Sequence, residues 1–124
     1  MPNLLKVKLD ETTNPWTVDV EQKDDANHVP RGSSSQTITW QLHGNAAAGD
    51  IAWVEWIIQP PSGVFGTPNI SHNGNVLTIS DLNDSVASTG DWPYQISVTL
   101  NHQTYYTPTD SDDGTTSNPT IKNK

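Results

Sequence analysis

No cysteine occurs in the 124 residues. That absence excludes disulfide scaffolds, thiolate-bound metals and cysteine nucleophiles together. Methionine is found only at position 1 and phenylalanine only once, so other side chains must fill any core. Positive charge is scarce: six Lys and Arg face 14 Asp and Glu, a net charge of −8 at neutral pH. A field of that sign repels phosphate backbones and anionic lipid heads, so neither nucleic acid nor a membrane surface is an expected partner. No segment approaches the roughly 18 consecutive apolar residues of a membrane span. The opening "MPNLLKVKLD" has no charged stretch followed by an apolar one, as a secretory leader would; the expected location is cytoplasmic. The hydrophobic fraction, 32%, is low enough to raise disorder, but five tryptophans and many Val, Ile and Thr argue for a compact β-domain.

What is present alternates with a period of two. "LLKVKL" (4–9) sets Leu5, Val7 and Leu9 on one face, and "WTVDVEQ" (16–22) sets Trp16, Val18 and Val20 against Thr17, Asp19 and Glu21. "QTITWQL" (36–42) does the same with Ile38, Trp40 and Leu42, and "PYQISVTL" (93–100) with Tyr94, Ile96 and Val98. Asn73-Gly74 is a two-residue hairpin signal ahead of a strand carrying Leu77 and Ile79 inward, and "NHQ" (101–103) turns the chain into "TYYT". Segment 23–35 reads as the longest polar loop of the first half. Its "VPRGS" matches the core of a protease site used in recombinant expression, but it lies between strands the fold needs, so we read the match as coincidence. No segment carries a helical apolar stripe.

The run "IAWVEWII" (51–58) poses the sharpest question. Strict alternation puts Trp56 with Val54 and Ile58, and turns Trp53 the other way beside Glu55 and Ile57. Trp40 and Trp56 then have core phase, which leaves Trp53, Trp92 and Trp16 as candidate ligand-binding residues. An aromatic platform on a sheet can stack sugar rings, and tryptophan is also enriched where proteins meet. The plainer reading is that Trp53 lies beneath another segment of the chain.

Two stretches carry a resemblance. "LTISDLNDSVASTGDWPYQISV" (77–98) resembles the E strand, E–F corner and F strand of immunoglobulin-like domains, and "VPRGSSSQTITWQL" with "WVEWII" resembles their B and C strands. The resemblance implies that Trp56 takes the place of the buried C-strand tryptophan and that Ile38 and Ile96 fill the space of the antibody disulfide. The chain departs from the pattern in having no cysteine and in the extra residues between Gly90 and Tyr94. The same stretches are similar to cupredoxins, whose copper site needs a thiolate this chain cannot supply. "SNPTIKNK" is similar to the ending of small, uncharacterised bacterial β-sandwich proteins of the DP-EP type, with Asn118 where an Asp is expected.

Catalytic and metal signals are thin. His28, His43, His72 and His102 fall in or beside loops, without a local Ser-His-Asp or paired-carboxylate spacing. His72 and His102 border turns and could share one end of the sandwich, with Asp110 as a third ligand, but each reads more simply as a polar turn residue; we expect no metal and no cofactor. "DSDDG" (110–114) offers carboxylates for calcium, yet Gly114 comes fifth and Ile121 twelfth, where an EF-hand loop needs a sixth-position Gly and a twelfth-position Glu. The acidic loop 108–119 is better read as solvated and as a guard against edge-to-edge pairing.

The expectation is therefore one domain over 1–124: all-β, an immunoglobulin-like antiparallel β-sandwich with Greek-key connections and seven or eight strands. Its expected role is a non-catalytic binding or structural-interaction module, not an enzyme, presenting loops 43–51, 59–75 and 101–118 or the face bearing Trp53 to a protein partner. The alternatives are a carbohydrate-binding module that takes a glycan on exposed tryptophans, and a homo-oligomeric assembly subunit that self-associates.

Overall fold

Where the side chains alternate, the backbone is extended. In β1 (Asn3–Asp10) Leu5, Val7 and Leu9 are buried while Leu4, Lys6 and Lys8 face solvent. The same two-residue rhythm organises β2 (Thr17–Glu21), β4 (Gln36–Leu42) and β7 (Val76–Asp81). The computed structural model describes residues 3–12, 14, 16–21, 26–107 and 119–124. Its remaining strands are β3 (His28–Val29), β5 (Asp50–Trp56), β6 (Asn69–Ile70), β8 (Gly90–Leu100), β9 (Gln103–Tyr106) and β10 (Thr120–Asn123). Two short 3-10 turns, Gly44–Ala46 and Val86–Ser88, are the helical elements among the described residues. No helix there is long and apolar enough to cross a membrane. The acidic loop at 110–114 and Asn118 lie outside the described residues.

Two mixed sheets pack face to face. One runs in the order β2-β1-β4-β7-β6, the other β3-β10-β8-β5, with β9 paired to β8. The interior between them holds Leu5, Val7, Ile38, Trp40, Leu77, Tyr94, Ile96, Val98 and Ile121, each fully buried. Burying each large apolar side chain of this kind stabilises the fold by about 1.5–3 kcal/mol. Ile38 and Ile96 are thus both core residues, as expected.

Three expectations need correction. Among the described residues the strands number ten rather than seven or eight, because β3 lies inside the supposed loop 23–35 and β6 is only two residues long, too short for alternation to register. The pairing is not purely antiparallel: β1 lies parallel to β4, Leu5 opposite Trp40, and β3 lies parallel to β10, His28 opposite Lys122. Neither parallel pair is joined by a tight turn, which is the signal that local sequence carries. Trp53 and Trp56, finally, face the same way. Trp53 pairs with Ile96, Glu55 with Gln95 and Trp56 with Tyr94, so Val54 is one residue too many and bulges out of the ladder. The bulge resets the alternation, and Ile51, Trp53 and Trp56 all turn toward the core.

The turns also differ in detail. Asn73-Gly74 does not make a two-residue hairpin: the loop runs Ser71 to Asn75, Gly74 N–H bonds to Ser71 O at 3.0 Å, and only Gly74 has a left-handed φ, 79°. The two-residue turn is instead Asn101-His102, between Leu100 and Gln103, with φ of 54° and 66°. Two left-handed residues in succession suit a type I′ turn, whose best second residue is glycine. His102→Gly is therefore expected to stabilise the fold by about 0.5–1 kcal/mol in a urea melt; a destabilised variant would show that the imidazole contributes more than its backbone costs.

Candidate functional site

An aromatic cluster plugs one side of the sandwich. Tyr94 is its floor, fully buried on β8, and its hydroxyl accepts the Trp40 Nε1–H at 2.7 Å. Burial pushes the Tyr94 phenol well above its ordinary range, against the opposing pull of that bond. Trp53 stacks on Tyr94 with centroids 5.5 Å apart and an interplanar angle of 16°, and meets Trp56 edge-on at 4.9 Å. Trp56 reaches across to Phe65 at 4.4 Å. Phe65 belongs to a segment running beside the end of β7, held by Gly66 N–H to Ser80 O at 3.0 Å and Leu82 N–H to Val64 O at 2.8 Å. Trp56 and Phe65 therefore close the gap between the sheets at the margin where β5 ends one and β6 and β7 end the other.

Just outside that plug lies the outer margin of β5. Ile51 N–H points outward and bonds to Gly74 O at 2.8 Å, whereas Ile57 N–H points inward to Pro93 O at 2.9 Å. Between them, no strand among the described residues pairs with the outer side of β5. Exposed apolar side chains line the same margin: Val54 at 38%, Ile57 at 37% and Ile58 at 54% of their full accessibility, with Ile70 of β6 on the opposite rim at 44%. Asp50 and Glu55, both exposed, are the charged residues of β5. Val54 is exposed because it is the bulged residue, and no periodic reading can find it.

The three tryptophans singled out from sequence are not brought together. Trp53 is half-buried in the aromatic cluster. Trp16, ahead of β2, stacks on Tyr105 of β9 with centroids 5.5 Å apart, bridging the two sheets at another margin. Trp92 donates its Nε1–H to Ser88 O at 3.1 Å and lies over Gly90, where a β-carbon would meet the indole at 3.5 Å. All three are half-buried against the core, and each has at least one ring face or its N–H committed to the chain itself.

Three histidines do gather at one end. Leu42 N–H bonds to Asn75 O at 2.9 Å and Asp50 pairs with Thr99, which brings His43, the loop holding His72 and the turn holding His102 to the same end of the sandwich. Among the described residues, however, no group of three His, Asp or Glu side chains is placed to hold a metal ion.

The opposite end is closed by a polar junction that periodicity alone does not announce. Asn83, 1% exposed, donates from Nδ2 to Val29 O at 3.0 Å and to Lys124 O at 2.9 Å, and its Oδ1 accepts the Ser88 hydroxyl at 2.6 Å. Asn27 donates to Thr120 O at 2.7 Å and Asn3 to Ala26 O and His28 O at 2.9 and 2.7 Å. Asp81 and Asn123 complete the junction through a 3.0 Å bond. A signal did exist: Asn3, Asp81 and Asn123 each extend an inward row, Asn3-Leu5-Val7-Leu9, Leu77-Ile79-Asp81 and Ile121-Asn123.

No protein-family model matches this chain, and no curated protein matches it.

Proposed function

We propose that this chain is a non-catalytic binding module that receives an extended polypeptide segment along the outer margin of β5. The observation that carries this reading is the backbone of β5 beyond Ile51, whose outer side no strand among the described residues pairs, bordered by exposed Val54, Ile57 and Ile58. A strand added there gains main-chain hydrogen bonds from the edge and side-chain contacts from the apolar border. Asp50 and Glu55 favour a segment that alternates apolar with basic residues. The same two carboxylates, the bulge at Val54 and a charge of −8 on each copy oppose pairing of β5 with β5 of a second copy. That favours a foreign partner over the homo-oligomeric alternative. Stacking of a glycan draws less support, since Trp53 lies against Tyr94 and Trp16 against Tyr105. Of the two sandwich types that the sequence resembles, the parallel β1·β4 and β3·β10 pairs support the cupredoxin-like one, because immunoglobulin-like sheets are antiparallel.

The test is titration with a blocked (Lys-Val)4 peptide, followed by calorimetry and tryptophan fluorescence, with (Lys-Ser)4 as a control of equal charge. Binding of the first and not the second is expected. Val54→Ser/Ile58→Ser, which leaves the charge unchanged, should weaken it roughly tenfold or more, as loss of two apolar contacts implies. Equal binding of both peptides, or no response to the double substitution, would overturn the proposal. A sedimentation mass above the monomer that this substitution abolishes would replace it with the assembly reading, and fluorescence changes on a glycan array with the carbohydrate one.

A further inference from the structure

Asp81 is fully buried at the end of the inward row of β7. Its Oδ1 accepts a hydrogen from Asn123 Nδ2 at 3.0 Å, while its Oδ2 has no hydrogen-bond partner among the described residues. Asn123 is in the same position: its Oδ1, also buried, has none. The amide cannot be turned round to help, because Nδ2 also donates to Ser88 O at 2.8 Å, and a carbonyl only accepts. Two buried acceptors on two bonded side chains therefore lack a donor. A carboxylate has no hydrogen to give; a carboxylic acid has one.

We propose that in mildly acidic solution Asp81 is protonated in the folded protein and donates from Oδ2 to Asn123 Oδ1, so that carboxyl and amide close a cyclic pair latching β10 to β7. Loss of the proton breaks one of its two bonds and leaves a buried charge, which loosens β10 and, through Lys122 N–H to Asn27 O and Lys124 N–H to Val29 O, the short β3 beside it. The latch is thus a pH-sensitive device at the end of the sandwich away from His43, His72 and His102.

Among the described residues, no cationic side chain is placed to take the proton's part. Facing β4 contributes Gln36 opposite Asp81 and no ionisable side chain between 36 and 42. Residues 57–80 contain one titratable group, His72, at the far end of β7. The turn Val86–Ser88 carries none, and Asp84 before it is exposed. On β10, Lys122 has the opposite phase to Asn123 and lies opposite Asp91 of β8 and His28 of β3; Lys124 is exposed, as is Arg31 beyond β3. Burial pushes the Asp81 carboxyl up to about 6 from 3.8, with the Asn123 bond pulling the other way. A raised folded-state value means that the latch contributes fully below about 4 and is lost as pH rises through about 6.

Carboxyl-carbon NMR titration of Asp81, together with urea melts from pH 4 to 8 on wild type and Asp81→Asn, tests this. The Asp81 resonance should titrate near 6 rather than near 4. Asparagine supplies donor and acceptor at every pH, so the variant should lack this part of the pH dependence. At pH 7.5 its folding equilibrium should exceed that of wild type by up to about 100-fold, two pKa steps of tenfold each. Amide exchange at Lys122 and Lys124 should accelerate above pH 6 in wild type only, beyond the intrinsic base-catalysed increase. An ordinary titration near 4, or a variant with unchanged pH dependence, would overturn the proposal; should the variant fail to fold, the NMR titration decides alone.

Discussion

Trp40→Ala is expected to lower the free energy of unfolding by about 3–5 kcal/mol. Trp40 is fully buried in the centre of β4, between β1 and β7, and lies 5.2 Å from Tyr94 and 6.0 Å from Trp53, measured between ring centroids. Truncation removes the indole volume and two aromatic contacts, and also strands the Tyr94 hydroxyl, whose partner is the indole N–H. Neighbouring strands restrain collapse into the gap, because Leu5 and Leu77 are held opposite Trp40 on both sides. In a thermal melt the midpoint should fall by roughly 10–20 °C. Trp16→Ala is the comparison, since that indole is half-buried at a margin and stacks on one ring; it should cost less than half as much. Equal losses for the two would mean that the margin bridged by Trp16 and Tyr105 weighs as much in the fold as the centre of β4.

The centre of the sandwich was legible because its rows are long and regular. Leu5-Val7-Leu9, Ile38-Trp40-Leu42 and Tyr94-Ile96-Val98 each repeat the period three times, and all nine side chains are buried. Legibility failed where local pattern and tertiary pairing part company. The phase of Trp53 relative to Trp56 depends on a bulge, and what sets the bulge is the register against β8, which lies about 40 residues downstream. The mixed character of the sheets depends on which strands become neighbours after two non-local crossovers. In the same way, that no described strand pairs with the outer margin of β5 is a statement about what does not lie beside it, and a strand pattern carries no such information. The polar junction was half visible: three of its members sit in core phase, but alternation cannot say that Asn27, Asn83 and Ser88 arrive beside them from loops and a short turn. The resemblance places a corner after the strand that carries Leu77 and Ile79, whereas the actual work of Asn83 in that corner is to bind three other segments.

That work makes Asn83→Asp the second large effect, although the substitution changes one NH2 group to oxygen. Asn83 Nδ2 spends both hydrogens on main-chain oxygens, of buried Val29 in β3 and of Lys124, an exposed residue just after β10. A carboxylate accepts only, so both carbonyls lose their donor and face a negative charge, while the Ser88 hydroxyl keeps an acceptor. One unsatisfied buried carbonyl, one partly buried oxygen without its donor and an unpaired buried charge should together cost about 3–5 kcal/mol at pH 7.5. The introduced carboxyl is held above its ordinary range by the same burial, so protonation restores one donor and the deficit should shrink as pH falls toward 4. Urea melts at pH 7.5 and pH 4.5 read both the size and the sign. A variant within about 1 kcal/mol of wild type at pH 7.5, less than one lost buried partner is worth, would mean that β3 and β10 are held by their ladder alone and that the corner is dispensable. A deficit that instead grows with acid would place the charge elsewhere than between Val29 and Lys124, since a buried carboxylate that faces acceptors gains by taking up a proton.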